Sequence, residues 1–182
     1  SDVKLESRVT HQVEEFSLAG PSSNAHRLPE PDEVADILFT TGTTGAPKGV
    51  MLTHRNIQAA AKNINAFIGN GGRDCELVPL PLSHSFGLGR LRCNMLAGGT
   101  IILVDGLVFP GKIIQALDSG GVTGFACVPS GFGLLFRLFG DKLSDYRSQL
   151  TYIEIGSAPM PTEHKERLSR LLPHTRICMH YG

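Results

Sequence analysis

The sequence predicts an α/β fold: a mostly parallel sheet with helices on both faces, plus a glycine-rich β-hairpin. Short apolar runs alternate with helix-period segments from residue 77 to residue 180. The intervening helices supply the crossovers that parallel strands require. Ahead of them, a glycine-rich turn joins two strands directly.

The elements follow in order. Residues 1–33 are polar and punctuated by Pro21, Pro29 and Pro31, with one short strand expected at Val9 to Phe16. They read as a partly irregular leading segment with no assigned chemistry, and 34–182 as the domain proper. Val34 to Thr41 and Gly49 to Leu52 are the hairpin strands. Thr53 is the expected N-cap of a helix through Ile68, with Ile57, Ala60, Ala61, Ile64 and Phe67 on one face. Gly69, Gly71 and Gly72 end it. Strands are then expected at Leu77–Pro81, Thr100–Val104, Val122–Val128, Thr151–Ile155 and Thr175–His180. The helices between them are His84–Leu96, Gly111–Ser119, Gly131–Phe139 and Glu163–Leu172. The final strand runs into Tyr181-Gly182, where a loop should leave the carboxyl end. That ending reads as truncation.

Composition narrows the function. The 182 residues carry 17 basic and 17 acidic side chains, which leaves no electrostatic footprint for nucleic acid or an anionic membrane. The longest aliphatic run, Ile101-Ile102-Leu103-Val104, is far below the roughly 20 residues of a membrane span. Cys75, Cys93, Cys127 and Cys178 lack metal-clip spacing and read as reduced thiols of a cytoplasmic protein. The start at Ser1, without a methionine, makes the lack of a visible signal peptide weak evidence.

The chemistry concentrates in Thr40-Thr41-Gly42-Thr43-Thr44-Gly45-Ala46-Pro47-Lys48-Gly49: four hydroxyls, three glycines and one lysine in ten residues. Phosphate oxygens call for such a set of backbone and hydroxyl donors beside a point charge. A polar hairpin turn is the plain alternative. The Walker loop does not match, since Pro47 precedes Lys48, Gly49 follows it, and strand leads to strand. A Gly-x-Gly-x-x-Gly after the first strand is missing as well, which weighs against another Rossmann-like nucleotide domain.

The loop, after Ile37-Leu38-Phe39, resembles the phosphate loop of the adenylate-forming (AMP-binding) superfamily, which includes acyl-CoA synthetases and firefly-type luciferases. Pro81-Leu82-Ser83-His84-Ser85-Phe86-Gly87, Gly156-Ser157-Ala158-Pro159 and His180-Tyr181-Gly182 resemble three further blocks in that superfamily's order. The resemblance covers residues 37 to 182 and implies part of the acyl-CoA synthetase-like N-terminal domain, without the small C-terminal domain.

The activity implied is acyl-adenylate formation from a carboxylic acid and ATP, then transfer to a thiol of CoA or of a carrier's phosphopantetheine. By resemblance, Thr41, Gly42, Thr43, Thr44, Gly45 and Lys48 hold the β- and γ-phosphates, and His84 positions the acid's carboxylate. Gly156, Ser157, Ala158 and Pro159 line the adenine, with Tyr181 stacking on it and Gly182 beside it. The magnesium-binding glutamate is expected beyond the chain end, so no metal ligand is assigned here. Alternatives stay open: His84 as a structural histidine, 156–159 as an ordinary turn, an adenylation domain that loads a carrier protein, or a non-catalytic nucleotide-binding module.

Pro129-Ser130 with Phe132 and Phe136 could border the acyl pocket, although helical spacing makes Phe136 core. Apart from His54 at a helix start, His11, His26, His164 and His174 read as solvated surface. His180 lies near the site or simply fills a strand. The partial domain is expected to be inactive alone and to self-associate through apolar surface.

Overall fold

The computed structural model describes residues 28–40, 48–104 and 108–180. Two compact units divide the chain, Ser1–Glu30 and Pro31–Gly182. Of the first, residues 28–30 are described, in irregular backbone; the strand expected at Val9 to Phe16 lies outside the described residues. All else below belongs to the second unit.

A hairpin opens that unit. β1 (Val34–Thr40) pairs antiparallel with β2 (Lys48–Thr53), in a register that sets Thr40 opposite Lys48. Lys48 thus opens β2; residues 41–47 lie outside the described residues. Thr53 then caps α1 (His54–Ile68): its hydroxyl accepts from the Asn56 N–H, and the Asn56 side chain accepts from the Thr53 N–H. Gly69 ends the helix at φ 71°, a left-handed conformation that glycine adopts at low cost.

Five parallel strands form the main sheet: β3 (Cys75–Val78), β4 (Thr100–Leu103), β5 (Gly124–Cys127), β6 (Tyr152–Ile155) and β7 (Arg176–Met179), in the order β4-β3-β5-β6-β7. Between them run α2 (Ser85–Ala97), α3 (Pro110–Asp118), α4 (Pro129–Phe139) and α5 (Thr162–Leu171). A 3₁₀ turn at Lys142–Tyr146 follows α4 and was not expected from the sequence.

β3 stops at Val78 rather than Pro81, because Pro79 and Pro81 have no N–H to give a ladder. α2 begins at Ser85, with His84 as its extended N-cap rather than its first residue. α4 begins two residues earlier than expected, at Pro129, a residue favoured in a first helical turn.

Side-chain alternation along the strands splits the interior. Leu77, Phe125, Cys127, Ile153 and Ile155 pack with Ile113, Leu117, Phe132, Leu135, Phe136 and Leu168 in an apolar core with α3, α4 and α5. Glu76, Val78, Ala126, Tyr152 and Glu154 occupy the opposite face, with Phe86, Arg90 and Asn94 of α2. Phe132 is fully buried, 5.3 Å centroid to centroid from Phe125, so it belongs to the apolar core rather than to a pocket border. Phe136 is core, as expected. His164 is not solvated surface: it is half-buried, its ring meets Phe136 edge-on at 5.3 Å, and its Nδ1 is buried. Its place on the first turn of α5 points it at α4.

Candidate active site

The strand order reverses at β3, since β4 lies on one side of it and β5 on the other. Such a switch point opens a crevice beyond the strands' carboxyl ends. A cleft of about 580 Å³ lies there, lined by the Pro79–Pro81 segment and His84–Gly87 after β3, Val104 and Val108 around the end of β4, Val128 after β5, and Ser157 after β6. Four strand ends, distant in sequence, converge on it.

Two helices begin at its edge. His84 caps α2 and Val128 caps α4, and both line the cleft. The His84 side chain makes no bond to the first N–H groups of α2. Although α4 starts at Pro129 with Gly131 donating back to the Val128 carbonyl, the dipoles of both helices turn their positive ends to this edge and favour an anion there. The exposed His84 is held in place by its backbone, whose N–H donates to the Pro81 carbonyl at 3.1 Å. Gly87 makes this close approach feasible: a Cβ there would collide with the Pro81 carbonyl. Ser157 holds φ at 74°, a left-handed value for a residue with a Cβ. Unusual backbone of this kind clusters at ligand sites.

His84 and Ser157 therefore meet on one cleft. Ala158 and Pro159 are exposed on the same turn as Ser157, outside the cleft lining. Gly156 is buried, and its bare Cα serves a neighbour, because a Cβ there would fall inside the His180 ring. The room above Gly156 is thus filled by His180 rather than left for a flat base. Lys48 lies on β2, away from the cleft lining. Thr41, Gly42, Thr43, Thr44, Gly45, Tyr181 and Gly182 lie outside the described residues.

Behind the cleft, on the face with α2, lies a buried polar cluster missed by the sequence reading. Arg90 Nε and Nη2 donate to the two Glu76 carboxylate oxygens at 2.7 and 2.5 Å, and Nε lies 2.8 Å from Glu154 Oε2. Asn94 Nδ2 and the Tyr152 hydroxyl donate to Glu76 Oε2 at 2.8 and 2.9 Å. Tyr152 reaches it by crossing Gly124, where a Cβ would overlap its ring. Burial alone would lower the Arg90 guanidinium, but Glu76 and Glu154 outweigh it and hold it firmly protonated. Burial, reinforced by Glu76, pushes the Tyr152 hydroxyl up.

The cluster ends at His180, whose Nδ1 lies 3.0 Å from Glu154 Oε1 and whose ring meets Phe86 edge-on at 4.8 Å. The signal for it was one charge in each of three apolar runs: Cys-Glu-Leu-Val, Tyr-Ile-Glu-Ile and Gly-Arg-Leu. Buried charges need partners, and here the two carboxylates share Arg90.

This fold, with a cleft at the strand ends faced by helix N-termini, defines an α/β domain suited to an anionic ligand. The sequence profile of AMP-binding enzymes matches residues 2–182, and the chain belongs to that family. Its curated relatives include CoA ligases. 4-Coumarate–CoA ligase-like 6 of Arabidopsis thaliana is 30% identical over 156 residues, covering 83% of this chain and 28% of the relative. 2-Succinylbenzoate–CoA ligase of Bacillus cytotoxicus is 34% identical over 148 residues, covering 81% and 27%. This chain thus spans under a third of these relatives' length. Among solved structures, CmiS6 superposes with a TM-score of 0.76 at 30% identity, covering 90% of this chain and 38% of CmiS6. VinN bound to L-aspartate gives 0.75 at 26%, covering 96% and 43%. Among the described residues, no helix is long and apolar enough to cross a membrane.

Proposed function

We propose that the protein containing this chain activates a carboxylic acid with ATP and passes the acyl group to a thiol such as CoA. A carboxylate oxygen attacks the α-phosphorus and the bond to pyrophosphate breaks. The thiol then gives up its proton, its sulfur attacks the acyl carbon, and AMP leaves with the electron pair of the broken acyl–oxygen bond. The observation that carries this reading is the cleft on which two helix N-termini open, because the reaction moves negative charge onto phosphate oxygens. The CoA ligase relatives supply the thiol acceptor.

Within that reading, His84 positions the acid's carboxylate where α2 begins, and the Thr41–Gly45 stretch with Lys48 holds the β- and γ-phosphates. Residues 156–159 carry the nucleotide, with Ser157 to Pro159 as their exposed part, and Tyr181 and Gly182 complete that side. Residues 34–182 form part of the large nucleotide-binding domain, with 1–33 leading into it. Among the described residues no cluster of three or more His, Cys, Asp or Glu could hold a metal ion, and the magnesium-binding glutamate is assigned outside them. The chain alone is expected not to turn over, given the short span it shares with its relatives. The exposed Ile37, Phe39, Val50 and Met51 of the hairpin support self-association; concentration-independent sedimentation would exclude it.

The test is ATP–pyrophosphate exchange by the full-length protein against fatty, aryl and amino acids. Exchange stimulated by one class is the expected result and names the substrate group. Exchange with transfer only to a carrier protein reassigns the acceptor, and ATP binding without exchange makes the protein a nucleotide-binding module. Lys48→Ala should weaken ATP binding at least tenfold, as loss of a charge-assisted phosphate contact does. Unchanged binding would reduce the loop to a turn.

A further inference from the structure

The buried polar cluster joins three elements that deliver lining to the cleft from separate parts of the chain. Glu76 lies on β3, which runs into the Pro79–Pro81 segment. Glu154 lies on β6, which runs into Ser157. Arg90 lies on α2, less than two turns after His84. Only 1% exposed, the Arg90 guanidinium meets both carboxylates. We propose that Arg90 is a positioning residue, which sets His84 and the N-terminus of α2 in place relative to Ser157 across the cleft.

What the cluster adds is direction. Apolar residues of similar volume would hold α2 to the sheet about as firmly, because the cost of taking charges out of water offsets the gain of pairing them. Apolar contacts leave a helix some freedom to slide or rotate, whereas a planar fork on a carboxylate fixes distance and angle together. Arg90 Nε and Nη2 close such a fork on Glu76 at 2.7 and 2.5 Å. One turn further along α2, Asn94 Nδ2 donates to the same carboxylate at 2.8 Å and to the Arg90 carbonyl at 2.9 Å. The helix is therefore held to β3 at two successive turns. Glu76 is itself fixed from across β5, where the Tyr152 hydroxyl of β6 donates to it at 2.9 Å. At the start of α2 there is no slack to absorb a shift, since a Cβ on Gly87 would already collide with the Pro81 carbonyl. A displacement of α2 along its axis thus reaches the cleft lining directly.

This inference rests on the acid-activation reading, and its test separates the two. Three variants of the full-length protein are compared with wild type. Arg90→Lys keeps the charge and loses the fork, and Glu76→Leu with Arg90→Met replaces the fork by apolar volume. Tyr146→Phe, which loses its bond to Asp118 outside the cluster, controls for lost stability. ATP–pyrophosphate exchange gives kcat and the KM for ATP, and amide hydrogen exchange reports protection along α2. Both fork variants should lose about tenfold or more in kcat, the scale of a small misplacement of reacting groups, with the KM for ATP changed by less than about threefold. Amides in the first turns of α2 should exchange faster, while those of α4 and α5 keep wild-type protection. Tyr146→Phe should match wild type in kcat. A fork variant that folds and keeps the wild-type kcat overturns the proposal, as does an equal loss of kcat in Tyr146→Phe. If wild type itself shows no exchange with any acid, the activation reading fails and amide exchange decides the positioning alone. Faster exchange confined to the start of α2 then supports it, and unchanged protection there overturns it.

Discussion

At the scale of single residues, conformational cost and burial set the expectations. Ser157 sits at φ 74°, where a β-branched side chain fits poorly. Ser157→Val should therefore cost about 1–2 kcal/mol of stability, whereas Ser157→Gly should change little, because relief of strain is offset by the entropy glycine loses on folding. Urea midpoints measure both. The thiols give a second expectation. Burial pushes Cys127 up to about 12 and Cys93 up to about 11, so almost no reactive thiolate exists at neutral pH. Iodoacetamide should label these two only on unfolding, and the half-buried Cys75 and Cys178 first. Rapid labelling of Cys127 in the native protein would contradict the buried core on that face of β5.

At the scale of elements, the helix ends were more legible than the strand ends. Thr53 followed by an apolar helical stripe was readable because a cap is a local signal, and Thr53→Ala should cost about 1 kcal/mol, measurable as a fall in urea midpoint. The end of β3 was misplaced because Leu77-Val78-Pro79-Leu80-Pro81 is continuously hydrophobic, while the ladder stops where prolines remove its donors. The 3₁₀ turn was missed because its anchoring is non-local: the Tyr146 hydroxyl donates to Asp118 Oδ1 at 2.7 Å, across 28 residues. That bond, helped by Lys142, holds the Asp118 carboxyl below its usual range. A carboxylate depressed in the folded state contributes stability above its unfolded pKa of about 3.9, and that contribution is lost as pH falls through the folded value. Tyr146→Phe should flatten the stability profile in this acid window and leave the slope near neutral pH unchanged.

For the whole molecule, the sequence made the alternating fold and the blocks around His84 and Ser157 readable, because period and composition are local. The polar cluster was not readable, since Glu76, Arg90 and Glu154 become partners only when the sheet assembles. Removing one member of a buried ion pair strands the other, so Glu76→Ala should destabilise by about 3–5 kcal/mol. The double change Glu76→Leu with Arg90→Met should recover part of that loss, although Glu154 then loses its Arg90 contact and is left facing His180. Chemical denaturation of the four-member cycle separates these terms.

The Tyr152 ring lies over Gly124 of β5 and ends on Glu76 of β3, so one side chain ties three neighbouring strands. Positions 76, 124 and 152 are therefore not free to drift separately. A larger residue at 124 is tolerable only once 152 has shrunk, and a smaller 152 leaves Glu76 one donor short. Random mutagenesis under selection for folding should record these three positions as correlated changes. Any descendant that lost the tyrosine should carry its trace at two sites on other strands.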